Sequence, residues 1–223
     1  MKVLVVAAHP DDEILGCGAT VARHASAGDE VHSLILAEGS TSRAPQRDAV
    51  GRREDIEDLM KAAQAAAAAL GATSVRFGGL PDNRMDSLDL LDVVKVVEAV
   101  VDDLAPEVVY THHGGDLNID HQITNRAVLT ACRPLPGNPV RSIYGFETVS
   151  STEWGLTAFT PQRFVDVSAT FERKLTALAY YSAEMRPFPH ARSVDAIEAL
   201  ATMRGASVSV SRAEAFTVIR ELR

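Results

Sequence analysis

The sequence predicts an α/β fold, a mostly parallel sheet with helices on both faces that continues into a more irregular α+β part. Two observations predict it. Apolar runs of strand length alternate with stretches of helical periodicity as far as residue 111, which is the pattern of repeated βαβ units. Beyond Pro134 the alternation loosens into two strand-like runs and a helical pattern. In order, residues 3–8 form a buried strand and residues 14–27 the helix that follows, stopped by Gly28. Residues 31–37 form a second strand and 38–47 a polar loop. An alanine-rich helix then ends at Leu70, with Gly71 as the residue just past its end. Residues 74–77 are a third strand and 78–83 a turn. Helical periodicity over 88–104 is broken by Pro106, and 108–111 are a fourth strand. Residues 143–149 and 164–167 are further strands, and 170–182 a helix capped by Ser168 or Thr170.

With 223 residues, 46% of them hydrophobic, the chain can build a sizeable core. No repeat, low-complexity linker or charge break divides it. The expectation is one domain over 1–223, with 1–134 as the core and 135–223 as an elaboration that shapes the pocket. The formal charge of −8 and the absence of a Lys/Arg cluster argue against nucleic acid as a partner. The longest apolar runs are too short to span a bilayer, and no signal peptide is read at the start. Cys17 and Cys132 form no CxxC pair, so neither a disulfide framework nor a thiolate zinc site is expected. The reading is a cytoplasmic protein without stable membrane insertion. Assembly into a homo-oligomer is compatible with it.

Ligands in open α/β sheets bind beyond the carboxyl ends of the strands. The first strand runs directly into His9-Pro10-Asp11-Asp12-Glu13, and the fourth is followed by His112, His113, Asp116, Asn118, Asp120 and His121. Zinc accepts imidazole nitrogen and carboxylate oxygen, and a catalytic zinc keeps three protein ligands and an open position. His9, Asp12 and His121 would supply such a set. The alternative is a strand-to-helix turn in which Asp11 or Asp12 caps the helix and meets its positive end. Capping explains the acids but calls for neither His9 nor the second cluster. Gly16 and Gly18 lie after the turn and make no G-x-G-x-x-G, so they are read as close helix packing, and no P-loop lysine is present.

The run Ala8-His9-Pro10-Asp11-Asp12-Glu13 with Leu15-Gly16-Cys17-Gly18, and the block from Thr111-His112 through Asp116-Leu117-Asn118-Ile119-Asp120-His121, resemble the two signatures of the PIG-L/LmbE-like N-deacetylases. Arg53-Glu54, Leu70-Gly71, Leu80-Pro81-Asp82, Arg192-Ser193, Arg204-Gly205 and Ala213-Glu214-Ala215-Phe216 extend the resemblance over most of the chain. It implies a Rossmann-like fold, Zn2+ or another divalent metal held by His9, Asp12 and His121, and metal-bound water as nucleophile. It implies Asp11 as general base and acid in hydrolysis of an N-acetyl group from an N-acetylglucosamine-type conjugate. Where many members carry a histidine this chain has Asn118. The oxyanion donor is then Asn118, or His112 or His113, or the metal alone. Arg53, Asp82, Arg84, His112, Asp116 and Arg192 are expected to bind substrate, and Glu147 and Trp154 are further options. For Arg53 a surface ion pair is the competing expectation, and for Asp82-Asn83 a turn. Competing functions are hydrolysis of another amide or ester, and a catalytically silent sugar-binding protein of the same fold.

Overall fold

The computed structural model describes residues 1–43, 46–155 and 157–222. Its elements are β1 (Lys2–Ala7), α1 (Asp12–Ser26), β2 (Glu30–Ala37), α2 (Arg53–Leu70), β3 (Ser74–Leu80), α3 (Leu90–Leu104), β4 (Val108–His112), α4 (Ile119–Ala131), β5 (Ser142–Phe146), β6 (Arg163–Asp166), α5 (Phe171–Ala179), α6 (Val194–Ala206) and β7 (Ala213–Glu221). One seven-stranded sheet runs in the order β3-β2-β1-β4-β5-β7-β6. Its first five strands are parallel, and β7 runs antiparallel to both β5 and β6. The fold is α/β with helices on both faces, and the irregular C-terminal part supplies the antiparallel edge.

Because strand side chains alternate, β1, buried from Val3 to Ala7, serves two cores. Val3 and Val5 join the apolar cluster under α1, α2, α5 and α6, while Leu4 and Val6 join the cluster under α3 and α4. The chain order reverses between β1 and β4, which pair from Val3 opposite Val108 to Val6 opposite Thr111. A crevice opens beyond their carboxyl ends at this switch point.

Several boundaries differ from the sequence reading for physical reasons. Strand β3 continues through Gly78 and Gly79 to Leu80, because it passes so close to β2 that a Cβ at Gly78 would meet the Leu36 carbonyl oxygen at 2.8 Å. Gly78 serves this approach, whereas Gly79, with open space at its Cβ position, takes a positive φ of 66°. Thr170 stands at the start of α5 without capping it by its side chain, since its hydroxyl donates to the Ala19 carbonyl 2.9 Å away. Helix α1 is kinked at Cys17 (φ −147°). Beyond the kink the N–H groups of Ala19 and Thr20 donate to the Glu214 carboxylate at 3.1 and 2.7 Å, and Lys174 closes a buried ion pair with Glu214 at 2.7 Å. Gly16 is the close-packing glycine expected of it, because a Cβ there would lie 2.2 Å from the Phe146 ring. Gly71 ends α2 in the left-handed conformation, as read.

Candidate metal centre and cleft

The first cluster is delivered by the end of β1. The Ala8 N–H donates to His112 Nε2 at 2.9 Å, tying the β1 end to the β4 end, and the chain then turns through Pro10 into α1. Asp11 occupies the N-cap position of α1 without a side-chain cap bond, and its backbone has φ 105° and ψ −30°. Asp12 does not cap either. Its Oδ2 accepts the His9 N–H at 2.9 Å, and its Oδ1 is buried with no hydrogen-bond partner among the described residues. The second cluster is delivered by α4. Asn118 caps that helix, its Oδ1 accepting the Asp120 N–H at 2.8 Å, so Asp120 and His121 fall in the first turn facing β1.

These elements bring three ligand-type atoms together. Asp12 Oδ2 lies 3.1 Å from His9 Nδ1 and 3.1 Å from His121 Nε2, and the two nitrogens are 3.3 Å apart. Each imidazole turns its other nitrogen to a carboxylate, His9 Nε2 to Asp120 at 3.2 Å and His121 Nδ1 to Asp116 at 3.1 Å. His9 Nε2 also lies 3.4 Å from Asp82. Burial disfavours a protonated His9, but Asp12, Asp120 and Asp82 outweigh it and raise its pKa to about 10. Burial likewise raises the Asp116 pKa, yet His121, Ser151 and Thr152 bring it down to about 2. Burial pushes Glu13 up to about 7 although it accepts the Tyr181 hydroxyl. The group is rich in buried carboxylates facing imidazoles, an environment that attracts a cation.

A cleft of about 540 Å³, open to solvent, lies over this group. His9, Asp11, Asp82, Asn118, His121 and Arg192 line it, together with Ser150 and Glu184. Arg192 Nη1 donates to Asp11 Oδ2 at 2.6 Å and Arg192 Nε to the Ser150 hydroxyl at 2.8 Å.

Other expected site residues lie elsewhere. His112 is fully buried, stacked on His121 with ring centroids 3.8 Å apart, so it backs the cluster and is not among the cleft-lining residues. Its Nε2 accepts the Ala8 N–H, and burial together with His121 holds its pKa well below the usual histidine value. Asp116, also buried, accepts hydroxyls from Ser151 and Thr152 behind His121. Arg53 is 79% exposed and pairs with Glu57 at 2.8 Å along α2, the surface ion pair. Arg84 precedes the short turn at Met85–Ser87 and is not among the cleft-lining residues. Glu147 is paired with Arg204 at 2.7 Å, His113 packs edge-on against Phe159, and Trp154 is half-exposed. Sequence reasoning missed Ser150, Ser151, Glu184 and Tyr181, which come from irregular segments with no motif. It gave Asp120 no role, although its place next to His121 was the available signal.

Fold and cleft together define the class: a doubly wound α/β protein whose switch-point crevice carries a His/Asp group able to hold a metal ion. Residues 4–132 match the family model described as PIG-L, GlcNAc-PI de-N-acetylase, and the chain belongs to this deacetylase family. Among its relatives, the uncharacterized deacetylase YaiS of Escherichia coli K12 is 31% identical over 182 residues, 79% of this chain and 88% of that protein. The probable N-acetyl-alpha-D-glucosaminyl L-malate deacetylase 2 of Bacillus cereus is 27% identical over 82% of this chain and 83% of its own length. Two solved structures share the fold. The N,N'-diacetylchitobiose deacetylase of Pyrococcus horikoshii has TM-score 0.78 and 19% identity, covering 98% of this chain and 84% of that one. The 4-carboxy-2-hydroxymuconate hydratase GalB of Pseudomonas putida KT2440 has TM-score 0.76 and 23% identity, covering 100% of this chain and 97% of that one. One fold thus carries different reactions, and the site has to decide.

Proposed function

We propose that this chain is a zinc-dependent hydrolase that removes the N-acetyl group from an N-acetylglucosamine-type conjugate. The observation that carries the reading is the triangle of His9 Nδ1, Asp12 Oδ2 and His121 Nε2 beside the Asp11 carboxylate. Three ligands at zinc–ligand lengths in a tetrahedral arrangement stand roughly 3.3 Å apart, and these atoms stand 3.1 to 3.3 Å apart. The unpartnered Asp12 Oδ1 and the carboxylates behind both imidazoles fit the same ion. His9, Asp12 and His121 would hold it. When bound, such an ion lowers the pKa of a coordinated water and polarises a carbonyl oxygen.

The chain's own groups perform the proton transfers. Arg192 holds Asp11 Oδ2, so Oδ1 takes the proton from the attacking water and returns it to the departing amine nitrogen. The Asp120 N–H pins Asn118 Oδ1, which fixes the amide with Nδ2 as donor. One N–H of Nδ2 goes to Asn83 Oδ1 at 2.8 Å, and the second is the donor assigned to the developing oxyanion. Asp82, buried in the cleft wall, accepts the Ser42 N–H and faces His9 Nε2, so it braces that imidazole, while Arg192 serves the base rather than the sugar.

The whole chain is read as one domain, both halves contributing to the cleft. Cys17 and Cys132 are both buried and unpaired, which supports a reducing, cytoplasmic setting. A panel of N-acetylglucosamine conjugates, a simple N-acetyl amine and an O-acetyl ester tests the substrate class. Fastest release of acetate and free amine from the sugar conjugates is expected. Preference for the ester, or inertness toward every amide, would replace the reading.

A further inference from the structure

Three non-glycine residues lining the cleft have positive φ, and they are not equivalent. Asn83 at 50° and Ser150 at 66° have φ values typical of the left-handed helical basin. Asp11, at φ 105° and ψ −30°, lies outside it, in a region that glycine enters freely and other residues rarely do. In a relaxed backbone an aspartate at this position would cap α1. Here its side chain makes no cap bond and reaches Arg192 in the cleft. A conformation of this kind persists only when its surroundings hold it.

The restraint is visible in the next turn of chain. The Asp11 N–H donates to Glu13 Oε2 at 3.1 Å, and Glu13 Oε1 accepts the Tyr181 hydroxyl at 2.7 Å from just beyond α5. Glu13 and Tyr181 are 3% and 2% exposed, so water does not compete for these bonds. Neither residue is among those that line the cleft. We propose that Glu13, braced by Tyr181, is a positioning residue that holds the Asp11 backbone in its strained conformation and so aims the carboxylate into the cleft. The proposal rests on Asp11 as the base.

The test combines Glu13→Ala, Glu13→Gln and Tyr181→Phe, each also in an Asp11→Gly background, using zinc-loaded protein. For Glu13→Ala, kcat should fall on the order of 10²-fold with KM and bound zinc unchanged, as for a displaced catalytic group. Glu13→Gln should recover to within about tenfold, because its amide oxygen accepts the Asp11 N–H and its nitrogen donates to the Tyr181 oxygen. The loss of Tm caused by Glu13→Ala should be smaller in the Asp11→Gly background, where glycine needs no restraint. Equal Tm losses in both backgrounds, or unchanged kcat in both Glu13→Ala and Tyr181→Phe, would overturn the proposal. If Glu13→Ala does not fold, Tyr181→Phe carries the same comparison. Failure of the base reading is separately visible: Asp11→Asn would then turn over normally while the Tm coupling persisted.

Discussion

His121 stands between two carboxylates, with Asp12 on Nε2 and Asp116 on Nδ1. Removing its ring removes a ligand and leaves two buried acids facing each other, so His121→Ala is expected to lose bound zinc, as is Asp12→Ala. Elemental analysis of the purified variants checks this, and full occupancy in either would exclude that residue as a ligand. Asp11→Asn separates chemistry from binding. It should keep its metal and lose on the order of 10²-fold or more in kcat, and unchanged turnover would remove Asp11 from the base role. Asn118 serves two tasks at once. Asn118→Ala should cost about 1 kcal/mol as a lost helix cap and lower kcat with little effect on KM. A drop in Tm with unchanged kcat would reduce the residue to its cap.

Elements were legible in the sequence where periodicity and termination agreed. Strands β1, β2 and β4 and the end of α2 at Gly71 were of this kind. So was the convergence of His9, Asp12 and His121, because strand ends are where α/β sheets place their polar groups. What stayed hidden depended on tertiary contact. Gly78 of β3 read as part of a turn because nothing local announces that β2 lies against it. That Asp116 and His112 are buried beside His121 was not legible, because the sequence does not say which side of His121 they occupy. The buried pair Lys174 with Glu214 is the same kind of feature. It joins α5 and β7 to the kink of α1, where the N–H groups of Ala19 and Thr20 beyond Cys17 donate to Glu214. Glu214→Ala strands the Lys174 charge and both N–H groups, so a destabilisation of about 3–5 kcal/mol is expected in denaturant titration. A loss below about 1 kcal/mol, the scale of an exposed ion pair, would show that the kink supports itself.

At the scale of the molecule, the switch point between β1 and β4 makes one site from residues more than a hundred positions apart, and the C-terminal part closes it by bringing Ser150 and Arg192 over Asp11. No helix among the described residues is long and apolar enough to cross a membrane. A shared fold leaves the reaction open, and the proposed metal-assisted hydrolysis rests on the His/Asp triangle beside Asp11. The most direct test is a titration of turnover against metal, with acetate release from an N-acetylglucosamine conjugate followed as zinc is returned to chelator-stripped protein. The stripped protein should be inactive, and the rate should climb to a plateau at about one equivalent of zinc per chain. Acetate release that is undiminished after stripping, or absent when zinc is fully bound, would contradict the account.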